Sequence, residues 1–196
     1  MANGKVCTGF SKPYVGEYEN NGATVTYKNA MPLARGVNVS IQPSDSGDAE
    51  NFHADNTLAE SEAGDTFTGG TITLTVDGLK KAAESMVMGL PTATDGWLKY
   101  GDDQKRPYVG VGYITRYMED GKTTYTPTII RKVKLNNISS SNATGENKPN
   151  FQTQEVSGNI VRSDDENHTW KWVSTEEYAT EAAAEGALKT ALGLTD

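Results

Sequence analysis

The dominant pattern along this chain is alternation of apolar and polar residues, the period-2 signature of strands that bury one face and leave the other in water. Val37, Val39 and Ile41 alternate with Asn38, Ser40 and Gln42, and Ile72, Leu74 and Val76 alternate with Thr71, Thr73 and Thr75. Pro13 to Glu19 and Ala23 to Lys28 flank Asn20-Asn21-Gly22, which suits a hairpin turn because Asn and Gly accept positive φ. A second hairpin joins Tyr108–Met118 to Thr123–Leu135 through Glu119-Asp120-Gly121-Lys122, and Gln154–Arg162 and Thr169–Val173 supply two further strands. About seven to nine strands with no internal repeat predict one mainly β domain over residues 1–173, a β-sandwich or split barrel.

Helical periodicity occurs twice. Leu79, Ala82, Ala83, Met86 and Val87 fall on one face, with Asp77 placed to cap the helix and Gly89 to end it before Pro91, so one amphipathic helix flanks the sheet. Ser174 and Glu177 match a capping box, with Val173 and Tyr178 as its hydrophobic staple, and open an Ala/Glu-rich helical arm over residues 174–196. Its apolar face, Ala184, Ala187, Leu188, Ala191 and Leu192, is small enough to leave open whether it packs on its own subunit or on a neighbour.

Only 34 of the 196 residues are Leu, Ile, Val or Phe, although 23 threonines and 9 tyrosines add strand-forming bulk. So lean a core fits a subunit that buries further surface against other copies. The net charge of −8 and pI of 4.8 argue against a protein that grips nucleic acid. The charge is also segregated. Residues 44–65 carry Asp45, Asp48, Glu50, Asp55, Glu60, Glu62 and Asp65 with no Lys or Arg, whereas residues 99–134 hold eight basic and four acidic side chains. Lying between two strands, the acidic stretch reads as a long solvated loop with a task. Ser139 to Asn150 reads as a second loop, rich in Ser and Asn with one Gly, one Lys and one Pro.

Candidate chemistry is sparse. His53 and His168 are the only histidines and have no metal-ligand spacing, and Cys7 is the only cysteine. Asp45, Asp48 and Glu50 lack the glycine and terminal glutamate of a calcium loop. Gly110 and Gly112 alternate with Val and Tyr inside a strand and open no helix, so they mark a close approach of another group rather than a phosphate cradle. No apolar run follows Met1–Lys5 or reaches bilayer length, and the sequons at Asn38, Asn137, Asn142 and Asn167 therefore lack a secretory context. The expectation is a protein that is not an enzyme and uses neither metal nor cofactor.

The order of several segments resembles a known family. Tyr14-Val15-Gly16-Glu17-Tyr18 leads through Asn29-Ala30-Met31-Pro32-Leu33-Ala34-Arg35-Gly36-Val37 into Val39-Ser40-Ile41-Gln42-Pro43. An acidic spacer and Asn51-Phe52-His53-Ala54-Asp55-Asn56 follow, then the Thr-rich strand, a helix, and Tyr-Val-Gly-Val-Gly-Tyr at 108–113 with Arg131-Lys132-Val133-Lys134 beyond it. Over residues 10 to 173 this is similar to the major tail protein of long-tailed phages with non-contractile tails, the type common in phages and prophages of Gram-positive bacteria.

The resemblance implies strands that complete a large barrel in a hexameric ring, and rings that stack into a tail tube through which the genome is ejected. It implies self-assembly in the host cytoplasm, residence in the virion tail, and tape-measure, tail-tip and tail-terminator proteins as partners. DNA would pass without specific binding, and no membrane would be involved. Segregated charge nominates Asp45, Asp48, Glu50, Phe52 and Asp55 as one side of a subunit or ring contact, with Lys105, Arg106, Arg131 and Lys132 as the other. The polar strand faces nominate Asn38, Ser40, Gln42, Thr71, Thr73 and Thr75 to line the lumen. The alternative is an extracellular carbohydrate-binding or adhesin-like β-sandwich module acting through Trp97, Trp170 or Trp172.

Overall fold

A computed structural model describes residues 4–22, 24–91, 95–140, 144 and 151–194, with the side chains of 48–54 and 57–65 outside the described set. The strands are β1 (Val6–Asn21), β2 (Thr24–Pro32), β3 (Gly36–Ala54), β4 (Thr57–Val76), β5 (Val109–Glu119), β6 (Lys122–Leu135), β7 (Gln154–Ile160) and β8 (Lys171–Val173). Helix α1 (Lys81–Met88) follows β4, and α2 (Glu181–Ala191) follows β8. The protein is mainly β. Its eight strands form one open antiparallel sheet in the order β2-β1-β5-β6-β7-β4-β3, with β8 added on β6.

Both predicted hairpins form. Glu119 pairs with Lys122 across Asp120 and Gly121, whose φ values of 45° and 77° give the left-handed turn that matches strand twist. In the first hairpin Asn21 pairs with Thr24, so the turn lies one residue later than Asn20-Asn21-Gly22 suggests. The larger correction concerns residues 44–65. They are not a loop but the outer part of the β3–β4 hairpin, with Gly47 opposite Gly64, Glu50 opposite Glu62 and Ala54 opposite Thr57 around a turn at Asp55-Asn56. Several bulges interrupt this pairing, which lets a strongly charged segment of weak apolar alternation still close its backbone hydrogen bonds. The loop expected at 139–150 lies largely outside the described residues.

One buried cluster draws Val15 from β1, Ile72 and Leu74 from β4, Val111 from β5, Ile130 and Val133 from β6, and Val156 and Ile160 from β7. Strands from both halves of the sheet share it, so the sheet curls around this core. Helix α1 adds Ala83, Val87 and Met88, and ends, as expected, at Gly89 in the left-handed conformation. Its start differs from expectation. Lys80 is the N-cap residue and contributes no side-chain bond, because Asp77 is engaged elsewhere: its carboxylate accepts from the Arg35 backbone N–H at 2.8 Å and from Arg35 Nε at 2.5 Å.

Helix α2 packs on its own subunit, against the opposite face of the sheet. Ala184, Leu188 and Leu192 are buried with Tyr14, Tyr27, Ile114 and Ile129, and Tyr14 Oη donates to Glu185 at 2.5 Å. A Cβ on Gly112 would lie 2.7 Å from Leu188 Cδ1, so the bare backbone there seats the helix. The capping box at Ser174 and Glu177 does not form. Tyr178 instead exchanges two backbone hydrogen bonds with Tyr125, which keeps the chain extended, and the helix begins at Glu181 with Thr180 Oγ1 accepting from the Ala183 N–H at 3.3 Å.

Candidate functional site

Register turns two separate alternating sequences into one surface. Asn38 pairs with Thr75, Ser40 with Thr73 and Gln42 with Thr71, so the six residues nominated from the sequence share one face of β3 and β4. Strand β7 extends the rows: Thr75 pairs with Glu155, Thr73 with Ser157 and Thr71 with Asn159. The result is a three-by-three grid of small polar side chains over β3, β4 and β7, with Glu155 its one charged member. The rows between them, Val39-Leu74-Val156 and Ile41-Ile72-Gly158, turn inward to the core. Sequence reading missed the β7 residues, although Glu155, Ser157 and Asn159 alternate with Val156, Gly158 and Ile160 in the same way.

Beyond Ser44 and Gly69, β3 and β4 pair only with each other and leave the sheet as a two-stranded arm, roughly 30 Å long at the usual strand rise. The arm is held at its base. Phe67 stacks on Trp170 with centroids 4.7 Å apart and planes 9° from parallel, and Thr68 Oγ1 donates to the Ser44 carbonyl at 2.9 Å. Asp45 and Asp55 are exposed, and the backbone sets Asp48, Glu50 and Phe52 further along the same arm.

The basic residues nominated as partners of the arm are mostly engaged within the subunit. Arg131 is only 2% exposed and is withdrawn from any surface contact: its guanidinium donates to Asp165 at 2.8 Å and to Thr169 Oγ1 at 2.6 Å, and lies 3.8 Å from the Trp172 ring centroid. Burial raises the Asp165 pKa, but hydrogen bonds from Thr169 and Ser163 and the Arg131 charge bring it below the ordinary carboxylate value. Lys132 donates to Asp164 at 2.6 Å, and that bond leads the causes that lower the Asp164 pKa. Arg106 caps the Leu135 carbonyl at 3.0 Å, and Lys134 Nζ donates to the Arg106 carbonyl. Lys105 alone of the nominated cations is exposed with no side-chain bond among the described residues.

The remaining candidates sit apart from the grid. Trp170 and Trp172 have the ring partners just given, while Trp97 stands 73% exposed. His168 Nδ1 lies 3.0 Å from the Ser163 carbonyl, Cys7 is exposed, and the His53 side chain is outside the described set. Among the described residues no three His, Cys, Asp or Glu side chains come together as a metal site would require, and no helix is long and apolar enough to cross a membrane. The grid presents a polar wall with a single carboxylate, and the arm carries acidic residues out from the sheet. No protein-family model matches the chain, and no curated protein matches it.

Proposed function

We propose that this chain is the structural subunit of a non-contractile phage tail tube, whose copies join side by side into hexameric rings that stack into a conduit for genome ejection. The observation that carries the reading is the polar grid on β3, β4 and β7. A wall of hydroxyl and amide groups holds water without offering phosphate a cation, and the acidic chain as a whole repels DNA over a Debye length of about 8 Å. The sheet ends at β2 and β3, and pairing these edges across copies extends it into a continuous barrel and removes the hazard of an exposed edge. The subunit is then a β-sandwich or split barrel opened toward its neighbours, the arm reaches the adjacent ring, and the tape-measure, tip and terminator proteins meet the tube inside and at its ends.

Negative-stain microscopy of the purified protein tests this directly. Rings or tubes with a central channel are expected. A protein that sediments as a monomer from micromolar to millimolar concentration and shows neither form overturns the reading.

A further inference from the structure

Charge is distributed along the long axis of the β3–β4 hairpin, with the two signs at opposite ends. The outer end is the acidic arm, in which Glu50 stands directly opposite Glu62 and no Lys or Arg occurs between residues 44 and 65. Like charges in directly opposed positions destabilise a strand pair, and a two-stranded ribbon outside its sheet is marginal in water. External cations would relieve this repulsion.

The inner end, where β3 begins and β4 stops, carries such cations. A concave basin of about 450 Å³ lies there, lined by Lys12, Pro13, Pro32, Arg35, Asp77 and Lys80 among others; Lys12 is ion-paired to Glu185 at 3.1 Å, so Arg35 and Lys80 are its open cations. Arg35 bonds Asp77 through Nε, yet its side chain is 90% exposed, so the outer guanidinium nitrogens face solvent. Lys80 is exposed, and its side chain has no hydrogen bond or ion pair among the described residues. Lys81, next in the chain, is 80% exposed and reaches only Glu84, at 2.8 Å.

We propose that the acidic arm of one copy docks in this basic basin of the next copy along the tube. The inference rests on the tube reading and names the arm's partner surface. It moves the partner surface away from Arg106, Arg131 and Lys132, which are engaged internally. The arm cannot serve its own basin, because tip and basin are opposite ends of the same hairpin, roughly 60 Å apart for a strand the length of β3. The contact is therefore head to tail, a heterologous joint that propagates along an axis instead of closing.

Charge swapping tests the contact. Lys80→Glu with Lys81→Glu is expected to leave the fold and the rings intact while shortening tubes at least tenfold, and adding Glu50→Lys with Glu62→Lys is expected to restore their length. Carbodiimide coupling of mixed heavy- and light-isotope protein is expected to join arm carboxylates to Lys80 or Lys81 between copies. Tubes of unchanged length in the lysine reversal, or a swap that fails to rescue, overturn the docking site and leave the tube reading standing. If the wild type forms no ring or tube, the tube reading fails, and absence of the mixed-isotope cross-link then overturns the docking contact as well.

Discussion

Tyr27 of β2 and Gly110 of β5 compete for one volume: a Cβ on Gly110 would lie 2.3 Å from Tyr27 Cε1. Gly110 pairs with Gly16 of β1, where a Cβ would come within 3.1 Å of Tyr27 Cβ. Two glycines in register thus clear a lane across β1 and β5, along which the tyrosine reaches β6 and donates to the Arg131 carbonyl at 3.0 Å. Burial raises the phenol pKa. The alternation of Gly with Val and Tyr predicts a close approach of another group, and at Gly110 that group is the Tyr27 ring.

Gly110→Ala is expected to destabilise the protein by about 1 to 3 kcal/mol, the usual cost of overpacking a filled site. The penalty shrinks in a Tyr27→Ala background, since the clash is with that ring. Urea denaturation of both single variants and the double variant measures the coupling. A Gly110→Ala penalty independent of residue 27 would show that the lane is not what selects glycine.

The Phe67–Trp170 stack controls how firmly the arm leaves the sheet. Trp170→Ala removes a parallel ring contact worth about 1 kcal/mol beyond its buried area. The arm holds Glu50, Glu60 and Glu62, so the products of a glutamate-specific protease, separated by mass, show which cuts fall within it. Faster cutting at Glu50, Glu60 or Glu62, with the melting temperature of the rest lowered only slightly, is the expected result.

Arg131 and Asp165 make stability depend on acid. The Asp165 carboxyl titrates below its ordinary value in the folded chain, so its contribution is complete above the unfolded pKa of about 4 and is lost as pH falls through the lower folded value. Asp164 and Asp77 are shifted in the same direction, each chiefly by a hydrogen bond from its cation. Asp165→Asn leaves the buried guanidinium uncompensated and is expected to cost about 3 kcal/mol at neutral pH. The variant's denaturation midpoint should then fall less steeply than that of the wild type below about pH 4. Parallel acid-denaturation slopes would remove Asp165 from this role.

The strands were legible in the sequence because burial of one face imposes a period of two, and the β3–β4 rows follow directly from Val39-Ser40-Ile41 and Ile72-Thr73-Leu74. Where a helix begins was less legible. The Ser174-Glu177 box is a local signal, and the backbone bonds of Tyr178 to Tyr125, invisible to local reasoning, override it. The arm was misread as a loop because its pairing depends on register with a strand of equally weak alternation. Arg131 read as surface charge because residue type carries no record of Asp165 and Trp172, which meet it only after β6 and β8 pair.

The polar grid is the part of the surface on which the functional reading most depends, and it can be tested without assembling anything. Ser40, Thr73 and Ser157 form its middle row. Replacing all three by lysine adds three cations at the centre of a face whose one charged member is Glu155. Each phosphate neutralised contributes about 0.9 to the salt slope of binding, so the triple variant is expected to gain DNA affinity with a slope of about −2 to −3 in log K against log salt. The wild type is expected to show no such binding at physiological salt. Circular dichroism should be unchanged, because the row points away from the core. Measurable wild-type affinity for duplex DNA at that salt would contradict a wall that lets DNA pass, and would recast the grid as a surface that holds it.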